Sequence, residues 1–243
     1  MKTLEKMSIG EYVANDYRTA ALFSKYGIDF CCKGNRTLEE VCDKKGLNLS
    51  VLENEINSIL ESSNDATIDF KSWPLDLLID YIVKTHHHYI EEKTPTLILF
   101  LDKLCKVHGE RHPELFEINK LFKISASDLS HHLKKEELIL FPFIKNMAIS
   151  IKENQNMEQP HFGSVNNPIA MLKEEHETEG NLFSKIAELT DNYNPPKDAC
   201  ETYKVTFSML RDFEQDLHKH IHLENNILFP SAIIMEERFS IIE

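Results

Sequence analysis

His132-Leu133-Lys134-Lys135-Glu136-Glu137-Leu138-Ile139-Leu140-Phe141-Pro142 returns, in outline, as His220-Ile221-His222-Leu223-Glu224-Asn225-Asn226-Ile227-Leu228-Phe229-Pro230. Both copies read His-x-x-x-Glu and then Ile-Leu-Phe-Pro at the same offset. On a helix, residues four apart share a face, one turn apart. Neutral imidazole with carboxylate is a ligand set for iron or manganese. Two such turns facing each other would hold a pair of metal ions.

A lone His-x-x-x-Glu carries little weight, and the chain has two more, His87/Glu91 and His88/Glu92. The weight lies in the repeat. A further histidine precedes each copy at a similar interval, His86 before His132 and His176 before His220. That order suggests two helical hairpins closing into one bundle.

The bulk numbers agree with an all-α chain. The 243 residues allow one large domain or two modest ones, and 42% hydrophobic content is enough for a packed core. Only 7 Gly and 9 Pro favour helices over a turn-rich β fold. A net charge of -13 argues against nucleic acid and anionic membrane surfaces as partners. No 18-residue apolar run exists, and the start MKTLEKMSIGEYV lacks the apolar centre of a signal peptide. Five cysteines at irregular spacing do not form a secreted disulfide framework, so a reducing cytoplasm is the simplest setting.

Along the chain, residues 1–64 read as a small helical domain, 65–72 as a linker, and 73–243 as the bundle. In the first part, Gly27 stops one helix, Thr37-Leu38-Glu39-Glu40 is a capping box, and Ser50 is expected to cap the next helix. Trp73-Pro74 opens the bundle, and Thr94-Pro95 is a candidate kink. Residues 152–166 form a second polar linker, and Asn167-Pro168 is expected as an N-cap with Pro at the first position. No strand pattern stands out.

Helical phase separates inward from outward histidines. His220 and Glu224 fall with Phe213, Leu217, Ile221 and Leu228; His132 and Glu136 fall with Leu129, Leu133 and Leu140; His176 falls with Ile169, Leu172, Phe183 and Ile186. Of His86, His87 and His88, His86 aligns best with the stripe of Leu75, Leu78, Ile79, Ile82, Val83 and Ile90. His87, His88, His108, His112, His131, His161, His218 and His222 are expected on solvated surfaces. Any one inward residue could be a buried polar group satisfied by hydrogen bonds. Two carboxylates buried without positive partners would cost several kcal/mol each, a problem that metal cations remove. Six protein ligands are too many for one iron that keeps an open position. They suit two iron ions, each with two imidazoles, with both carboxylates and an oxo or hydroxo group bridging.

Adjacent Cys31 and Cys32 fall in an expected loop before a helix. Neighbouring Lys33 and the helix start near Thr37 would lower a thiol pKa, which makes the pair a candidate reactive dithiol or transient iron ligand. Two small buried hydrophobes are the alternative. Cys42, Cys105 and Cys200 read as ordinary thiols.

Tyr26-Gly27-Ile28-Asp29-Phe30-Cys31-Cys32, followed by Gly34 and Thr37-Leu38, together with the two His-x-x-x-Glu copies, resembles the iron–sulfur cluster repair di-iron (RIC) family. The likeness covers almost the whole chain. Lys33 is a departure, since the family often has Gly there. The resemblance implies a small Cys-Cys domain followed by a hemerythrin-like four-helix bundle. It implies His86, His132, Glu136, His176, His220 and Glu224 as iron ligands, with Glu136 and Glu224 bridging, and Cys31 and Cys32 as the family's cysteine pair. It implies repair of iron–sulfur clusters damaged by nitric oxide or peroxide, by iron donation, in a cytoplasmic and often dimeric protein. Damaged iron–sulfur proteins would be the partners. Two other functions share the site: nitric oxide reduction at the paired irons, and hemerythrin-type oxygen binding or sensing. Oxygen storage needs no dithiol, so the cysteine pair favours repair or reduction.

Overall fold

A computed structural model describes residues 7–62, 68–153, 155 and 160–240. Residues 63–67, which include the start of the first expected linker, residues 154 and 156–159 of the second, and residues 1–6 and 241–243 lie outside the described residues. The described residues are helical apart from turns and one isolated antiparallel bridge, Ser8 to Thr37.

Four short helices form the N-terminal part: α1 Ile9–Asn15, α2 Thr19–Lys25, α3 Leu38–Lys45 and α4 Leu49–Glu61. The capping box at Thr37 is present, its hydroxyl accepting from Glu40 N–H and the Glu40 carboxylate accepting from Thr37 N–H. A second capping box, Ser8 with Glu11, starts α1. Gly27 and Gly46 adopt positive φ of 59° and 66° where α2 and α3 end, a conformation that favours glycine. The cap of α4 is Asn48 and not Ser50: the Asn48 side chain accepts from Val51 N–H two residues earlier than expected.

The bundle follows as α5 Leu75–Tyr81, α6 His88–His108, α7 Glu114–Lys135, α8 Phe141–Glu153, α9 Asn166–Leu189, α10 Glu201–Leu223 and α11 Phe229–Ser240. Three π-helical turns join them pairwise, Ile82–His87 between α5 and α6, Glu136–Leu140 between α7 and α8, and Glu224–Leu228 between α10 and α11. The result is four long rods. Pro95 sits inside α6, and Thr94 Oγ1 donates to Ile90 O at 2.6 Å. α9 begins one residue before the expected cap, with Val165 in the cap position and Pro168 within the first turn.

Buried residues recur three and four apart, as helices packing along a shared seam require. On α7 and its π turn they include Leu115, Ile118, Phe122, Ser125, Leu129, His132, Glu136 and Leu140. On α9 they are Ile169, Leu172, His176, Glu179, Phe183 and Ile186. The polar members stand in register with leucines and phenylalanines, so the seam that holds the bundle together also carries the site. Phe122, Phe183 and Phe213 close one side of that layer with ring centroids 5.4–6.4 Å apart. Each such ring contributes about 1.5–3 kcal/mol on burial.

The N-terminal helices pack against this bundle and share its core: Phe23, Ile28 and Phe30 belong to the same buried cluster as Leu217 and Ile221. Within the expected linker, Phe70 is buried in a short 3-10 turn, against Trp73 at 4.9 Å and Tyr81 at 5.1 Å.

Candidate metal centre

Two groups of four buried donors lie at the middle of the bundle. His87, Glu136, His220 and Glu224 form one; His132, Glu136, His176 and Glu224 form the other. Both glutamates belong to both groups. Within the first, His220 Nε2 lies 2.9 Å from Glu224 Oε1, and His87 Nε2 lies 3.4 Å from Glu136 Oε2 and 3.2 Å from His220 Nε2. Within the second, His176 Nε2 lies 3.2 Å from Glu224 Oε2, His132 Nε2 lies 3.4 Å from Glu136 Oε1, and the two Nε2 atoms are 3.0 Å apart. Donors bound at about 2.1 Å stand about 3.0 Å apart on an octahedron, so this spacing is that of ligands converging on ions.

The residues fit metal on an independent ground. Both oxygens of Glu136 and Oε2 of Glu224 are buried without a hydrogen-bond partner among the described residues. Both side chains are fully inaccessible, and their ion pairs there are with imidazoles alone. Burial and the Glu224 charge push Glu136 up, but His132 and His87 outweigh them and leave it lowered. Burial likewise opposes ionisation of Glu224, but His220, His176 and His87 hold it well below the usual carboxylate range. In return, burial pushes His87 and His132 down, yet Glu136 and Glu224, joined at His132 by Glu175, lift each to about 10. His220 goes the other way, lowered by burial. Nearby imidazoles thus favour the ionised carboxylates, a charge balance that cations would take over.

Three of the four imidazoles are oriented from behind. His87 Nδ1 bonds Glu137 at 2.7 Å, His132 Nδ1 bonds Glu175 at 2.9 Å, and His176 Nδ1 bonds Asn225 Oδ1 at 3.0 Å. Glu175 is itself held by Lys135. These acceptors keep the proton on Nδ1 and turn the Nε2 lone pair inward. The repeated Ile-Leu-Phe-Pro acquires a physical meaning here. Phe141 stacks on His87 with centroids 5.7 Å apart, and Phe229 stacks on His176 at 6.0 Å.

The structure brings together five of the six residues singled out in the sequence: His132, Glu136, His176, His220 and Glu224. It places His87 in the remaining position and His86 beside it. His86 is buried, bonds Asp216 through Nδ1 at 2.9 Å, and stacks on His220 at 5.9 Å outside both donor groups. The cause is the π turn Ile82–His87. Its wider winding brings the residue five after Ile82 inward, where α-helical counting selects the residue four after it. The first residues of the other two π turns are Glu136 and Glu224, so all three turns coincide with the site.

Other histidines expected in solvent are not there. His222 is buried between Tyr17 and Phe30, with burial lowering it to about 3. His218 lies half-buried against Phe30 at 6.1 Å. His108 is buried with Nε2 3.3 Å from Cys200 Sγ. The polar face of α10, expected in solvent, receives Tyr17 and Phe30 of the N-terminal part. His88, His131 and His161 are exposed, and His112 is half-buried between Glu114 and Asp198.

The cysteine loop docks on the centre. Cys32 Sγ donates to His176 O at 3.2 Å, a close approach made possible by Gly180, where a Cβ would stand 3.3 Å from that sulfur. Asn225 Nδ2 donates to Cys31 O at 3.2 Å, and Asn226 Nδ2 donates to Phe30 O at 3.3 Å. Asn226 sits so close to Gly10 that any side chain there would displace it. Cys31 is not acidified as expected: the Cys32 contact, burial and Asp29 raise its thiol well above the ordinary value. Asn225 and Asn226 occupy the positions held by Glu137 and Leu138 in the first copy. That divergence between the repeats was the available signal for docking.

A helical bundle with this His and Glu cluster in its seam is a metal-binding protein of the hemerythrin class. Residues 78–232 match the hemerythrin HHE cation binding domain, and residues 5–60 match ScdA_N, a domain of unknown function. Over 228 residues, 94% of this chain and 97% of the relative, the chain is 36% identical to the iron-sulfur cluster repair protein YtfE of Escherichia coli O81 (strain ED1a). It is 35% identical, with the same coverage, to the proteins of that name from Escherichia coli O1:K1 / APEC and Escherichia fergusonii. The chain belongs to the iron–sulfur cluster repair protein family. Among the described residues, no helix is long and apolar enough to cross a membrane.

Proposed function

We propose that this chain is a di-iron protein that repairs iron–sulfur clusters damaged by nitrosative or oxidative stress, by donating iron to the damaged protein. The observation that carries this is the pair of donor groups sharing two buried carboxylates, one of whose histidines is covered by a docked cysteine loop. His87 and His220 would hold one iron, His132 and His176 the other, and Glu136 and Glu224 both. Iron held there supplies an exchangeable ion that responds to its redox state. Carboxylates and imidazoles bind ferrous iron less exclusively than a thiolate cage would, which suits a donor. Glu137, Glu175 and Asn225 keep the imidazoles aimed inward, and both carboxylates are fully buried. Cys31 and Cys32 would receive the outgoing iron.

The test is reactivation of a purified iron–sulfur enzyme inactivated by nitric oxide. Anaerobic iron-loaded protein should restore its activity, whereas protein carrying Cys31→Ala with Cys32→Ala should keep its iron content and restore little. Equal restoration by the metal-free protein would defeat the donor reading. Full restoration by the cysteine variant would defeat the thiol role.

A further inference from the structure

We propose that Asp29, Cys31 and Cys32 form a second metal site, distinct from the bundle cluster, that takes one thiophilic divalent cation such as ferrous iron. The Asp29 carboxylate and the two Sγ atoms lie within 4.8 Å of one another. Cys31 Sγ and Cys32 Sγ are 3.7 Å apart, and Cys31 Sγ is 3.4 Å from Asp29 Oδ1. Around a tetrahedral ion with metal–sulfur bonds of about 2.3 Å and metal–oxygen bonds of about 2.1 Å, those edges would be about 3.8 and 3.6 Å. Two of the three edges therefore already stand at ligand spacing, and the third lies within 4.8 Å.

The loop is built to hold them so. Asp29 Oδ1 accepts from Cys31 N–H at 3.1 Å and Cys32 N–H at 2.9 Å, pinning the carboxylate beside both thiols. Arg36 donates to Asp29 O and Lys33 O, and Gly10 N–H donates to Gly34 O, fixing the loop against α1. Cys31 is buried and Cys32 half-buried. A carboxylate beside two thiols resists thiolate formation unless a cation joins them. Binding would release two thiol protons and leave two metal–sulfur bonds and one metal–oxygen bond, with no change in oxidation state.

The remaining coordination position has room. A cavity of about 420 Å³ adjoins the three donors, lined among others by Lys33, Glu177, Asn181, Gln215 and His218. His218 offers an imidazole at that cavity wall, and burial disfavours its charged form. Through Cys32 the site abuts the His176 carbonyl, so the two metal sites are neighbours. Its use as a receiving station for outgoing iron rests on the repair reading above; the site itself does not.

Cobalt(II) is the probe, added anaerobically to the full chain with its bundle already loaded with iron. One further ion per chain should bind, with sulfur-to-cobalt charge-transfer absorption in the near ultraviolet. Cys31→Ser with Cys32→Ser should abolish that absorption. Asp29→Asn keeps the oxygen that caps both amides and loses the charge; it should weaken cobalt binding at least about tenfold. Unchanged bundle iron in each variant reports that the chain still folds. Absence of charge-transfer absorption at saturating cobalt, or undiminished affinity in Asp29→Asn, would overturn the proposal. The absorption should persist in Glu136→Ala with Glu224→Ala, and its loss there would show that the site is not independent. If cobalt binds as described and reactivation of the damaged enzyme fails, the repair reading falls and the site stands.

Discussion

Asn225 joins His176 to Cys31. Its Oδ1 accepts from His176 Nδ1 at 3.0 Å while its Nδ2 donates to Cys31 O at 3.2 Å. One buried amide thus sets the tautomer of an inward imidazole and fastens the N-terminal loop beside it. Asn225→Ala should lower metal affinity by about 10–100-fold, the usual effect of removing such an orienting partner. Chelator competition measures this. Hydrogen exchange of residues 29–34 should rise in the same variant. Unchanged affinity would mean that His176 is oriented by packing on Phe229 alone.

The neighbours His86 and His87 separate cleanly by substitution. His87→Ala removes a donor and should sharply reduce iron content, whereas His86→Ala should retain the metal. Iron analysis of the two purified variants decides between them. Loss in His86→Ala with retention in His87→Ala would restore the reading by α-helical phase.

Metal uptake should depend on pH with a definite sign. His87 and His132 are raised to about 10 without metal, burial being outweighed by Glu136 and Glu224 and, at His132, also by Glu175. Ions need neutral imidazole, so below that pH binding must displace protons, and affinity should rise with pH. About two protons should be released per loaded chain near pH 8. Calorimetry in buffers of differing ionisation enthalpy counts them, and no proton release would contradict this charge balance.

Glu179, one turn from His176 and not itself in either donor group, provides a stability test. Burial raises it to about 7, and the Ser125 hydroxyl donates to it at 2.5 Å without reversing the shift. A raised carboxyl contributes fully below its unfolded value of 4.5 and loses that contribution as pH rises to about 7. Glu179→Gln should therefore match wild type near pH 4 and be more stable at pH 8, by up to about 3 kcal/mol. Urea unfolding of the metal-free protein at both values checks it. A variant less stable at pH 8 would show that the ionised form has a partner holding it.

Much of this was legible because the bundle seam is periodic. His132, His176 and His220 stand three or four residues from buried leucines and phenylalanines, and the phase that places the apolar residues places them too. His86 against His87 was not legible by phase, since a π turn adds a residue to the winding that no α-helical count contains. The burial of His218 and His222 is not legible, because a polar helix face looks solvated until another part of the chain covers it, and here the cover comes from residues far earlier in the sequence. The Cys31 thiol is not legible from its neighbours in sequence, because Lys33 is two residues away whereas Cys32 and Asp29 are what its sulfur meets.

The most direct test of the di-iron site is iron per chain with Mössbauer spectra under anaerobic loading, for wild type and for Glu136→Ala with Glu224→Ala. The expected result is two coupled irons per chain in wild type and their loss in the variant. A single iron, zinc in its place, or iron retained without both carboxylates would contradict it.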